Sequence, residues 1–183
     1  MNLLMHVCCA PCSIMCVESL RGEGLEPVGF WDNPNIHPYT EYRSRKNALA
    51  DYAAQIGLAL VWHGEYGLRP FVREVAEDID GRCGRCYAMR IRSAARYAAE
   101  NGFTHFTSTL LISPYQDHER LREAGGQAAK YFGVSFLYRD FRPLFREGQS
   151  RARELGLYMQ KYCGCVFSEE ERYRKPKKTA RTG

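Results

Sequence analysis

Apolar positions along this chain alternate between two rhythms. Leu3 to Val7 is a short apolar run that stops at Cys8-Cys9-Ala10-Pro11, and beyond it Ile14, Val17 and Leu20 recur at helical spacing. A strand, a tight turn and a helix are expected there. Pro11 suits the first helical turn, where its missing N–H would have had no partner. Pro27 to Trp31 predicts a second strand, and the loop from Asp32 to Pro38 carries the turn formers Asn33-Pro34 and His37-Pro38 before a helix over Tyr39 to Gln55. Leu58 to Trp62 predicts a third strand, Phe71 to Glu77 a short helix, Asp80 to Arg85 a glycine-containing loop presenting Cys83 and Cys86, and Tyr87 to Asn101 a helix closed by Gly102. A fourth strand over His105 to Leu111, a helix over Asp117 to Phe132, a fifth strand over Val134 to Tyr138 and a helix over Phe145 to Met159 complete the pattern. Such alternation predicts a single α/β domain, a mostly parallel sheet with helices on both faces, and ligands outside the carboxyl ends of the strands.

Composition adds bounds to this picture. A chain of 183 residues with 45% hydrophobic and 26% charged content can bury one core without disulfide support. The start of the chain lacks a basic leader followed by an apolar stretch, and no run is long enough to span a bilayer, so a cytoplasmic location without membrane contact is expected. The net charge of +5 is misleading: the last twelve residues carry Arg172, Arg174, Lys175, Lys177, Lys178 and Arg181 and no acid, which leaves the rest near −1. The expected organisation is a body over 1–171 and a flexible basic tail over 172–183, suited either to a phosphate-rich partner or to plain solvation.

Eight cysteines are many for a reducing compartment, where clustered thiols bind metal or do redox work more often than they form disulfides. Cys8 and Cys9 fall where the first strand meets its helix, and Cys12 lies in the first turn, where free N–H groups and the positive dipole end favour thiolates. Cys16, a turn further on, reads as a small buried apolar residue. Cys83-Gly84-Arg85-Cys86 is a Cys-x-x-Cys pair, and with Cys8 and Cys9 it completes four thiolates, the number that holds a zinc ion or a 4Fe-4S cluster. Consecutive cysteines splay their side chains, which favours the corners of a cluster over one tetrahedral ion. Cys163-Gly164-Cys165 is a third stretch. In extended backbone both sulfurs would face one side, as a strained, easily reduced dithiol relay or as two further metal ligands.

The sequence resembles the QueH-type epoxyqueuosine reductases along nearly its whole length before the tail. The resemblance rests on His6-Val7-Cys8-Cys9-Ala10-Pro11-Cys12-Ser13, Asn33-Pro34-Asn35-Ile36-His37-Pro38 followed by Glu41-Tyr42 and Arg45, Arg82-Cys83-Gly84-Arg85-Cys86-Tyr87, Ser113-Pro114-Tyr115-Gln116, Asp140-Phe141-Arg142, and Tyr162-Cys163-Gly164-Cys165-Val166-Phe167-Ser168. It implies a HUP or Rossmann-like fold and reduction of epoxyqueuosine to queuosine at the wobble position of a tRNA. It also implies a 4Fe-4S cluster on Cys8, Cys9, Cys83 and Cys86, with Cys163 and Cys165 as a redox-active pair able to form a disulfide. A second metal, iron or another, is implied beside the cluster, with Cys12 and either Asp117 or Asp140 as the positions to test.

An anticodon loop calls for stacking surfaces and cations, for which Tyr39, Tyr42, Tyr87, Tyr115, Arg43, Arg45, Arg82, Arg85, Arg142 and the tail are candidates. No glycine-rich phosphate loop or nicotinamide fingerprint is present, so an external electron donor is expected. His6 reads as a satisfied core histidine and His37 as a hydrogen-bonded loop residue. Two other functions stay open at this point: a zinc-stabilised RNA-binding module without catalysis, and a thiol-disulfide oxidoreductase.

Overall fold

The computed structural model describes residues 2–174, so most of the basic tail expected at 172–183 lies outside the described residues. Five parallel strands form one sheet: β1 (Leu3–His6), β2 (Pro27–Trp31), β3 (Leu60–Trp62), β4 (His105–Ser108) and β5 (Ser135–Phe136), in the order β3-β2-β1-β4-β5. The helices are α1 (Ala10–Gly22), α2 (Tyr39–Ile56), α3 (Leu68–Val75), α4 (Arg82–Glu100), α5 (His118–Phe132), α6 (Phe145–Glu154) and α7 (Val166–Tyr173). β1 is central, with Leu3 opposite both Pro27 of β2 and His105 of β4. All four of its residues are buried, which is why it reads as a continuous run rather than an alternating one. Its side chains join Phe30, Trp31 and Phe106 in the main core, where full burial of each large side chain stabilises the fold by about 1.5–3 kcal/mol. Among the described residues no helix is long and apolar enough to cross a membrane.

The chain winds outward from β1 to β2 and β3, then crosses back to β4 and β5. β1 and β4 therefore flank the point where the winding reverses, and a crevice opens beyond their carboxyl ends. Val7 and Cys8 leave β1 there, and Thr109 leaves β4.

Four local expectations change. Cys83 and Cys86 lie within the first turns of α4, which starts at Arg82 and not at Tyr87: Gly81 supplies the N-cap, and contact with α7 through Arg82 and Glu171 holds the stretch helical despite Gly84. The fourth strand stops at Ser108, whose hydroxyl accepts the Leu110 N–H and starts a 3₁₀ turn over Thr109–Ile112. The helix expected to reach Met159 ends at Glu154, one residue before the Leu155–Gly156 turn in which Gly156 takes φ 64°. Finally, the Tyr162–Cys165 stretch is not an extended strand: Gly164 sits at φ 147° and α7, not foreseen in the sequence pattern, begins directly after Cys165.

Candidate functional site

Three helices begin at cysteines. Cys9 is the N-cap of α1, Cys83 lies in the first turn of α4, and Cys165 is the N-cap of α7, its sulfur accepting the Ser168 N–H at 3.4 Å. Neither α1 nor α4 has a side-chain cap or an acid in its first turn, so their free N–H groups and positive ends are left to the thiols.

The sulfurs gather in two groups. Cys8, Cys9 and Cys12 lie within 4.8 Å of one another, all buried, with Cys8 and Cys9 Sγ 3.7 Å apart. Thr109 ties this triad to β4: its hydroxyl oxygen accepts the Cys8 N–H at 3.1 Å and lies 3.3 Å from the Cys8 sulfur. Gln160 closes it from outside, its amide N–H groups donating to Cys9 Sγ at 3.0 Å and Cys12 Sγ at 3.6 Å. Within the triad the three thiols are shifted in opposite directions. Hydrogen bonds from Cys12 and Cys9 hold the Cys8 thiol well below its usual range against the opposing effect of burial, and Arg90 and Thr109 add to them. Cys12 is pushed up because its proton is shared with Cys8, and Cys9 is pushed up by burial.

The second group forms where α4 meets α7. Buried Cys86 and Cys165 pack with Phe71 and Val75 of α3, while Cys83 and Cys163 are exposed. Burial pushes Cys86 up to about 12. Cys163 and Cys165 do not share a face: Cys163 opens on the crevice and Cys165 turns into the apolar nest, a consequence of the turn at Gly164. All eight cysteines are free thiols.

Between the groups stands Arg90, fully buried on α4. It donates to Asn33 Oδ1 at 2.8 Å and approaches Cys86 Sγ at 4.0 Å, and its Nε has no partner. No carboxylate answers it among the described residues; burial opposes its charge, and Cys86, Cys8 and Cys163 together restore it. A buried guanidinium with only sulfur for counter-charge marks this region as built for thiolates.

One segment touches both groups. Asn33 holds Val7 O at 2.9 Å and Arg90, while His37 N–H donates to Gly164 O at 2.8 Å and His37 Nδ1 accepts the Val166 N–H at 3.2 Å. Because Nδ1 accepts, Nε2 carries the proton and donates it to Pro34 O at 2.9 Å. Arg45, paired with Glu41 at 2.6 Å, donates to the carbonyls of Tyr162 and Cys163 at 2.9 Å each. A Cβ on Gly164 would lie 3.3 Å from Arg45 Nη1, so glycine serves the close approach as well as the turn.

The crevice is a cavity of about 760 Å³ that reaches Cys8, Cys12 and Cys163. Its inner end has Arg45, Arg90 and Gln160; its outer wall has Tyr115, Phe145 and the exposed face of α6. Gln116, linked to Tyr87 OH at 2.9 Å, points its amide at Cys163 Sγ at 3.6 Å. The two acidic candidates lie outside it. Asp117 caps α5 by accepting the Arg120 N–H at 3.1 Å, and Asp140 is bound to Arg142 at 2.6 Å, which lowers its carboxyl to about 2. His6 and Cys16 are core, with His6 bonded to Ser108 Oγ at 3.0 Å and Asp32 O at 3.2 Å. Arg90, Gln160, Thr109 and the α6 cations were not anticipated; Arg90 could have been noticed as a charged residue on the apolar side of its helix.

Fold and thiols together define a Rossmann-like α/β domain with a cysteine-lined switch-point crevice. The family described as epoxyqueuosine reductase QueH matches residues 3–171, and the chain belongs to that family. Two relatives named epoxyqueuosine reductase QueH are similar to it: one from Dehalococcoides mccartyi, 38% identical over 98% of both chains, and one from Thermotoga maritima, 34% identical over 95% of this chain and 93% of its own. A predicted subunit of tRNA methyltransferase from Methanocaldococcus jannaschii superposes with a TM-score of 0.54 at 12% identity, over 83% of this chain and 75% of its own, a likeness of fold alone.

Proposed function

We propose that the chain reduces the epoxide of epoxyqueuosine in tRNA to the alkene of queuosine. The observation that carries the reading is the juxtaposition, at one crevice, of the Cys8, Cys9 and Cys12 triad, Cys163 and the carboxylate-free Arg90. The thiol-rich donor set and that stranded cation fit an anionic metal–thiolate group. Cys8, Cys9, Cys83 and Cys86 would hold a 4Fe-4S cluster, and Cys12 a second metal. Bound there, these groups supply electrons and Lewis acidity.

The net reaction consumes two electrons and two protons and releases the epoxide oxygen as water, with both of its carbon–oxygen bonds broken. The chain's own residues contribute the setting. The cavity takes the modified base, and Arg45 and Arg90 place positive charge where negative charge develops on the departing oxygen. Gln160 and Thr109 fix the triad sulfurs. Cys163 Sγ, open to the cavity and hydrogen-bonded by Gln116, is the thiol a substrate can reach; with Cys165 it would form the redox pair once the Gly164 turn relaxes enough to bring the two sulfurs together. Electrons come from an external donor in the cytoplasm.

The test is anaerobic incubation of iron- and sulfide-reconstituted protein, a chemical reductant and epoxyqueuosine-containing tRNA, with nucleosides scored by mass. Queuosine is the expected product. Its absence from protein that has taken up iron and sulfide would overturn the reading.

A further inference from the structure

The outer wall of the cavity combines cationic and aromatic side chains and carries no acid. Phe145, Arg146, Gln149, Ser150 and Arg153 line it, positions that share one face of α6, while Gly148 and Ala152 on the adjacent face are buried. A Cβ on Gly148 would lie 3.1 Å from Met15 Cγ of α1, which locks the helix in one orientation. The core side and the cavity side of this helix treat cations differently. Arg151 pairs with Glu18 of α1, and Arg142, just before α6, pairs with Asp140. Arg146 and Arg153, like Lys161 across the cavity, form no ion pair with any described carboxylate, and no acid lines the cavity.

Tyr115 stands at the same rim. It is 83% exposed, the most exposed of the large hydrophobic residues among the described residues, yet its ring is steadied edge-on by Phe145, with centroids 5.8 Å apart at 84°. A fixed aromatic ring left in water next to unpaired cations matches what single-stranded nucleic acid requires, a stacking platform beside phosphate-neutralising charge.

We infer that this wall seats the RNA strand flanking the nucleotide in the cavity, with Tyr115 stacking a neighbouring base and Arg146, Arg153 and Lys161 neutralising its phosphates. The inference rests on the function proposed above and assigns the part of the substrate that is not reduced. The wall selects polynucleotide over free nucleoside and leaves the chemistry to the sulfurs.

The test uses the full reconstituted protein and a fluorescent RNA hairpin with an unmodified anticodon-type loop, titrated by anisotropy across potassium chloride concentrations. Tyr115→Ala should weaken binding by about 5- to 150-fold, the range for loss of one base stack, and Tyr115→Phe should retain it. The pair Arg146→Gln with Arg153→Gln should flatten the logarithmic salt slope by about 0.7 for each phosphate that is no longer neutralised. Arg92→Gln, whose guanidinium lies over Tyr131 outside the cavity, should change neither. Circular dichroism melting and iron content matching the wild type show that each variant is folded and loaded. Unchanged hairpin affinity and salt slope in the α6 and Tyr115 variants would overturn the inference whether or not the enzyme makes queuosine. Normal RNA binding by a wild-type protein that yields no queuosine would instead sink the reaction and leave the wall standing.

Discussion

The buried thiol triad and the thiols of the Cys163 turn are built on opposite principles. Cys8, Cys9 and Cys12 sit where a central strand becomes a helix, buried, hydrogen-bonded to one another and anchored across the sheet by Thr109. Cys163 and Cys165 hang on an irregular turn whose position is borrowed from elsewhere, from the amide and ring of His37 and the guanidinium of Arg45. A group that must keep a metal needs fixed, dry ligands, whereas a thiol that must meet a substrate needs access. The contrast assigns retention to the triad and access to the Cys163 turn, and experiments can break that assignment.

The largest effect is expected from Cys8→Ser, which should abolish iron retention and turnover together, whereas Cys163→Ser should abolish turnover while iron and sulfide content stay at the wild-type level. If Cys163→Ser strips the metal as well, the division of roles is wrong. Next, Arg90→Gln should lower metal affinity by about 10- to 100-fold, the range for residues that support metal ligands, and should lower the melting temperature of the metal-free protein, because the sulfurs and Asn33 lose the cation they face. Arg45→Ala should remove two charge-assisted bonds, of about 1.5–3 kcal/mol each, from the Cys163 turn. It should lower turnover and expose that turn to hydrogen exchange while leaving the triad's iron in place.

Acid sharpens the comparison from another side. His6 is buried beneath the triad and its imidazole is depressed to about 3, by burial first and Arg90 second. A histidine that charges more easily unfolded than folded contributes stability fully above its ordinary value near 6.5, and loses it as pH falls toward about 3. Destabilisation of about 2 kcal/mol is expected at pH 5, measurable by urea denaturation, and a His6→Gln variant should show a flatter profile. The smallest effect belongs to Asp140→Asn, which removes an exposed ion pair worth at most about 1 kcal/mol and should leave activity intact. Loss of activity there would show that a carboxylate reaches the metal site after all.

Much of this architecture was legible in the sequence because its signals are local. The five strands, the crossover helices and the placement of Cys8 and Cys9 at a strand-to-helix junction all follow from hydrophobic rhythm and Pro11. What failed to show depends on long-range geometry. Cys83 and Cys86 looked like a loop knuckle because Gly84 suggested a turn, but Arg82 to Cys86 sits against α7 and stays helical. The Cys163 turn looked extended because two-residue spacing invites that reading, and the positive φ of Gly164 cannot be seen without Arg45 beside it. Asp117 and Asp140 have other partners in the structure, one capping a helix and the other paired with its neighbouring arginine, which residue type alone does not reveal. The unpaired state of Arg146 and Arg153 is a property of what surrounds them, and no reading of residue types alone could reveal it.

The loop from Asn33 to His37 acts as a spacer bar. One end is fastened to Val7, just beyond β1, and to the cation shared by both sulfur groups, the other to the backbone of the Cys163 turn. The separation between the store of charge and the reachable thiol is therefore a dimension owned by neither, and it will drift whenever this third segment is altered, even where every cysteine is left untouched.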